Sequence, residues 1–241
     1  MLASCKKERM QNKEAHESVQ VEWDKLRAID GGAWDESAPR ELRQLLNEHQ
    51  RNGTNCNWGY VFDICVEKNS ELPAGHKLRK FKGRVVFAGN RVKYQNWEVA
   101  MFQDLGSCPP AMEAGRACIA NGLFPGHIVE AADATQAYVQ APFVGTETWV
   151  ILPPEQVPDK WKHMGRPAFQ LKRALYGHPD SGGFWERHCE SQIFQSGFER
   201  VPEWNSCYWH PMHKTFLVVY VDDFLLSGPK DGVHELSLIH I

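Results

Sequence analysis

The stretch Phe216-Leu217-Val218-Val219-Tyr220-Val221-Asp222-Asp223-Phe224-Leu225-Leu226 decides how this chain is read. It is a run of β-branched, aliphatic and aromatic residues, the composition of a strand, interrupted at its centre by two aspartates. Adjacent carboxylates beside a core are costly unless water solvates them at a turn or cations hold them. A two-residue hairpin turn resolves the conflict, because Asp tolerates the backbone angles and both carboxylates then project from the tip. On this segment alone, a plain surface hairpin is the favoured reading.

Working outward, a second acid stands in a similar place. The strand-forming run His127-Ile128-Val129-Glu130-Ala131-Ala132 leads directly into Asp133. Carboxylates from two strand ends are the hard oxygen ligands that Mg²⁺ prefers, since it keeps waters and takes a few carboxylates plus substrate phosphates. Two such ions about 4 Å apart can activate a hydroxyl and stabilise a leaving oxygen in phosphoryl transfer. Judged by residue type only, a helix N-cap is an equal reading of Asp133.

The remaining elements follow from pattern and punctuation. Ser4 to Ile29 reads as a polar helix anchored by Val19, Val21 and Leu26. A second helix is expected from about Pro39 to His49, capped by Ser37 and stopped at Asn52-Gly53. Tyr60–Val66 and Arg84–Ala88 read as two strands of a hairpin, with turn chemistry between Lys68 and Gly75. A helix from about Pro110 to Ala120, strands over Thr148–Leu152 and Ala168–Leu171, and a helix from Phe184 to Gln195 complete the chain. Strands and helices interleave without regular alternation, which predicts an α+β fold on an antiparallel sheet.

The chain has 241 residues, 42% hydrophobic and 24% charged, so it is neither a disordered nor a collagen-like sequence. No apolar run reaches the roughly 20 residues that span a bilayer. The polar N-terminus lacks the apolar core of a secretion signal, so the chain is expected not to be secreted. Seven scattered cysteines with no Cys-x-x-Cys pair point to a reducing compartment. The net charge of −3 hides a segregation: Leu72 to Trp97 holds no acid, but contains Lys77, Arg79, Lys80, Lys82, Arg84, Arg91 and Lys93. Such a field suits phosphate, and a solvated strand face is the equally weighted alternative.

Three segments in order carry a resemblance. Asp133-Ala134-Thr135-Gln136-Ala137-Tyr138, then Leu175-Tyr176-Gly177 with Trp185, then Tyr220-Val221-Asp222-Asp223 closely resemble the reverse transcriptase of copia-type LTR retrotransposons. Phe81-Lys82-Gly83-Arg84-Val85-Val86-Phe87-Ala88-Gly89 is similar to that family's fingers strand, and the resemblance runs from about Trp58 to Gly228. It implies an RNA-directed DNA polymerase of fingers-and-palm architecture, with an antiparallel palm sheet backed by helices and a helical segment before it. The implied partners are an RNA or DNA template with its primer and deoxynucleoside triphosphates, with no membrane. The implied cofactor is a pair of Mg²⁺ ions, or Mn²⁺ in their place. The implied location is a cytoplasmic retroelement particle, the nucleus, or both.

By the resemblance, Asp133, Asp222 and Asp223 are the catalytic, metal-binding carboxylates. Tyr138 matches the aromatic gate that clashes with a ribose 2′-hydroxyl. Lys82 and Arg84 match the cations that hold the incoming triphosphate, Arg84 being better suited because guanidinium binds phosphate bidentately. The implied organisation is a helical lead-in over 1–55, fingers with the basic hairpin over 56–126, the palm over 127–230, and a truncated or non-native tail over 231–241.

The chain also departs from the family. After Leu175-Tyr176-Gly177 the family usually continues Leu-Lys-Gln-Ala-Pro-Arg, whereas this chain has His178-Pro179-Asp180-Ser181-Gly182-Gly183. Asp180 thus replaces a substrate-positioning glutamine, and a carboxylate near a triphosphate is repulsive unless it faces away or recruits a cation. The thumb and ribonuclease H domain that follow in the family are expected to be missing, which weakens the grip on duplex. The alternative is a catalytically inactive remnant that at most binds nucleic acid. Cys207, His210 and His213 form a weak zinc pattern short of a fourth ligand. His188-Cys189 only superficially resembles a nucleophile pair, and the aromatics, Trp185 among them, read as core filler.

Overall fold

The computed structural model describes residues 12–73, 75–102 and 109–237. In chain order these form α1 (Lys13–Ala28), β1 (Trp34–Glu41), α2 (Leu42–Asn52), β2 (Asn57–Lys68), β3 (Lys80–Phe87), β4 (Lys93–Tyr94), α3 (Met112–Gly122), β5 (His127–Asp133) and α4 (Ala137–Gln140). There follow β6 (Thr148–Ile151), β7 (Pro167–Leu171), α5 (Ser181–Gln195), β8 (Glu199–Arg200), β9 (Cys207–His210), β10 (Thr215–Tyr220), β11 (Asp223–Pro229) and α6 (Lys230–Ser237). The fold is α+β. No described helix is long and apolar enough to cross a membrane.

The chain divides into two compact units, Met1–Gln103 with Pro142–Ser181, and Asp104–Ala141 with Gly182–Ile241. This differs from the sequence boundaries. Residues Pro142–Ser181, read with the palm segment, join the first unit because β6 pairs in parallel with β2 and β7 pairs with β1. Conversely, α3 packs on β5, β10 and β11 of the second unit.

The first unit is a sheet of order β1-β7-β6-β2-β3, with β4 also on β2. Most of the basic segment lies on a hairpin, since β2 and β3 pair from Val61↔Phe87 to Lys68↔Lys80, whereas Arg91 and Lys93 follow it, Lys93 on β4. The odd face of β3 carries Gly83, where an added Cβ would lie 2.5 Å from the Ser18 carbonyl, so α1 rests directly on the strand. Helix α1 is capped by the Asn12 side chain, which accepts from the Ala15 amide at 3.2 Å. It buries Ala15, Val19, Trp23 and Leu26 at helical spacing, whereas Val21, expected as an anchor, is 51% exposed. The expected start at Ser4 lies outside the described residues.

The expected helix start at Pro39 is corrected. Trp34–Glu41 is strand β1, and α2 begins only at Leu42. Pro39 falls where the β1–β7 register slips between Asp35 and Arg40, on an edge strand, where a missing N–H disturbs no ladder. The close of α2 is as read: Gly53 adopts φ 64° and its amide returns to the helix end.

The Leu175-Tyr176-Gly177 motif has a packing reason. The Phe87 amide donates to the Tyr176 carbonyl at 2.7 Å, and the two backbones touch. A Cβ on Gly177, whose φ is 88°, would lie 2.2 Å from the Phe87 carbonyl oxygen.

The second unit is an antiparallel sheet of order β5-β11-β10-β9-β8. One face packs Leu217, Val219, Phe224 and Leu226 against Trp185, Cys189 and Ile193 of α5 and Val233 and Leu236 of α6. The other packs Phe216 and Val218 against Ala114 and Cys118 of α3. Residues 230–237, mostly assigned from sequence to a tail, therefore form a helix that completes this core. Leu238–Ile241 lie outside the described residues.

Candidate active site

The strand pair β10–β11 is registered from Phe216↔Ser227 to Tyr220↔Asp223, so the two turn residues are Val221 and Asp222. This shifts the expected turn by one residue. Asp222 stands on the turn, but Asp223 is the first residue of β11. The left-handed angle falls on Val221, at φ 58°, and not on an aspartate. A β-branched residue pays for that angle with strain.

Strand β5 lies on the other side of β11, and its register pairs Asp133 directly with Asp223. Directly opposed antiparallel residues have Cα atoms about 4.5–5.5 Å apart and side chains on one face. The Ala134 amide donates to the Asp222 carbonyl at 2.7 Å, which ties the end of β5 to the turn. Asp133 and Asp223 are exposed and Asp222 is half-buried. The N-cap reading of Asp133 fails, because Gln136 occupies the cap position of α4.

Tyr138 sits on α4, half-buried against the core that carries Trp185 and Phe224. Burial, and then the negative charge of Asp222, push its phenol above the usual range. A cavity of about 570 Å³ opens along β5, walled by Glu130 to Thr135 on one side and Ile193, Phe198, Leu226 and Leu236 on the other. The structure thus gathers Asp133, Asp222, Asp223 and Tyr138 within the second unit.

Lys82, Arg84 and Asp180 belong to the first unit. Lys82 is exposed and Arg84 half-buried on the same face of β3, and the Arg84 guanidinium lies 5.2 Å from the Tyr176 ring centre. Of the seven segregated cations, Arg79 is neutralised by Glu67 of β2 at 2.7 Å. The Asp180 amide donates to His178 Nδ1 at 3.2 Å.

The chemistry of the donor set is all carboxylate oxygen, which fits Mg²⁺ or Mn²⁺ rather than a thiophilic ion. The set is too open to stand as a formed metal centre: no group of three His, Cys, Asp or Glu placed to hold a metal ion occurs among the described residues, Asp133, Asp222 and Asp223 included. His210 uses its ring nitrogens on the Ser196 carbonyl and the His213 amide. Burial pushes the Cys189 thiol up to about 12 and the Cys207 thiol up to about 11, which leaves both as poor nucleophiles.

Sequence reasoning missed two features. The Trp185 indole N–H donates to the Val221 carbonyl at 2.7 Å. Gln136 adopts φ 56° between Asp133 and Tyr138, with its Nε2 buried and unbonded. Residue order carries no signal for either, because both depend on tertiary placement. Compared with known proteins, the chain matches no protein-family model and no curated protein.

Proposed function

We propose that the chain is the reverse transcriptase portion of a copia-type retrotransposon Pol polyprotein, an RNA-directed DNA polymerase. The observation that carries this reading is the Asp133↔Asp223 register beside the turn bearing Asp222. In this reading the second unit is the palm and the basic hairpin of the first belongs to the fingers. Asp133, Asp222 and Asp223 would hold a pair of Mg²⁺ or Mn²⁺ ions, which would supply charge stabilisation for joining a deoxynucleotide to a primer 3′ end. Two like charges set opposite each other are unfavourable when bare, so the site gains from a cation.

The chain's own residues do the rest. The Tyr138 ring selects deoxynucleotides by steric exclusion of a ribose 2′-hydroxyl. Lys82 and Arg84 bind the triphosphate, and stacking on Tyr176 limits the freedom of the Arg84 guanidinium. Asp180 adds a carboxylate that disfavours the same triphosphate. The partners are a primed RNA or DNA template and deoxynucleoside triphosphates, in a retroelement particle or the nucleus.

A catalytically inactive remnant is the second reading, favoured by the open ligand set and by Asp180 and Gly183 in the family's Gln and Arg positions. Primer extension on poly(rA)/oligo(dT) with Mg²⁺ or Mn²⁺ separates the two. The polymerase reading expects extension that Asp222→Asn abolishes. Equal extension by both proteins refutes the catalytic assignment, and none by either supports the remnant.

A further inference from the structure

Val221 breaks a local rule. Hairpin turns place Gly, Asn or Asp where φ is positive, and here a β-branched residue holds φ 58° immediately before Asp222. Such strain persists only where surrounding contacts over-determine the backbone. Two contacts do so. The Ala134 amide holds the Asp222 carbonyl, and the Trp185 indole N–H holds the Val221 carbonyl, each at 2.7 Å.

Trp185 is 2% exposed and belongs to a fifteen-residue helix, α5, packed among Ala137, Cys189, Tyr208 and Val219. Its donor therefore comes from a fixed position. The indole nitrogens of two other buried tryptophans, Trp23 and Trp58, have no hydrogen-bond partner, so packing in this chain does not by itself bring an indole N–H to an acceptor. The bond from Trp185 is directed at the carbonyl of Val221, the turn residue immediately before Asp222.

We propose that Trp185 is a positioning residue that locks the strained Val221 turn and so presents the Asp222 carboxylate beside Asp133 and Asp223 for cation binding. The cation part rests on the polymerase reading; the locking of the turn does not. The probe is Mn²⁺, followed by water-proton relaxation, together with amide hydrogen exchange over residues 220–223. The proteins are wild type, Asp222→Asn, Trp185→Phe, the double variant Trp185→Phe/Val221→Gly, and wild type with benzothienylalanine at position 185. That analogue keeps the fused ring and replaces the N–H by sulfur, so it deletes the donor without emptying the core.

Loss of the donor, by Phe or by the analogue, is expected to speed exchange in the turn and to weaken Mn²⁺ about tenfold, or about 1.4 kcal/mol. Glycine at 221 adopts the positive φ without strain, so the double variant is expected to recover binding to within about threefold of wild type. Recovery distinguishes turn geometry from lost packing. Unchanged exchange on removing the donor overturns the lock, and faster exchange with unchanged Mn²⁺ affinity overturns the positioning role. Equal Mn²⁺ binding by wild type and Asp222→Asn sinks the polymerase reading and the positioning role with it, while exchange still decides whether Trp185 locks the turn.

Discussion

Asp133 and Asp223 stand directly opposite each other across the β5–β11 pair, and the backbone joins Ala134 to Asp222 at the same end. Two like charges so placed repel when bare and attract a divalent ion together. Strand register has therefore brought together two carboxylates from segments remote in sequence.

That opposition has a measurable cost. In EDTA, Asp223→Asn is expected to stabilise the chain by about 0.2–1 kcal/mol. Added Mg²⁺ or Mn²⁺ at about ten times its dissociation constant should stabilise wild type by about 1.4 kcal/mol and the variant by much less. Thermal unfolding with and without the ion reads both effects. Equal shifts in the two proteins remove the pair from any cation site.

Tyr138→Ala is expected to relax discrimination against ribonucleotides by at least about tenfold, since it deletes the ring and leaves Asp133, Asp222 and Asp223 in place. Single-nucleotide incorporation of rNTP against dNTP measures the ratio. An unchanged ratio in an active enzyme ends the gate assignment.

His178 makes stability depend on pH. It is 4% exposed among the rings of Phe87, Phe102 and Phe143, and burial pushes its pKa down to about 4. The unfolded chain titrates near 6.5. Between these values the unfolded chain holds the proton and the folded chain does not. Stability is thus complete above pH 6.5 and falls as pH drops toward 4, by about 3 kcal/mol in total. Urea midpoints at pH 7.5 and pH 5 should diverge in wild type and diverge less in His178→Asn. His210, which burial also holds below its usual range, adds in the same sense.

Gly177→Ala should be among the most damaging small substitutions in the first unit. The new Cβ would meet the Phe87 carbonyl oxygen at 2.2 Å, and φ 88° adds strain. A loss of about 2–4 kcal/mol is expected, read by denaturant unfolding. A loss below 0.5 kcal/mol would show that β3 and the Tyr176 turn can separate cheaply.

Strand and helix identity was largely legible, and the misses have physical causes. The hairpins β2–β3 and β10–β11 and the helices α3 and α5 announce themselves by periodicity and turn residues, which are local properties. Pro39 misled because its fixed φ suits both a helix start and an edge strand, and only the β1–β7 pairing decided between them. The four segments read from the sequence cut across the two units because β6 and β7 are short strands whose partners, β2 and β1, lie far upstream.

The candidate site divides the same way. By itself the sequence determined that acids end two apolar strands, that cations crowd one hairpin, and that an aromatic residue follows Asp133 closely, since composition and spacing are written in the chain. Only the tertiary structure decided that Asp133 opposes Asp223, that Val221 and not an aspartate takes the left-handed angle, and that Trp185 reaches the turn. Those facts follow from strand register and from the close packing of α5 on the sheet, where one residue of slip would move every side chain to the other face.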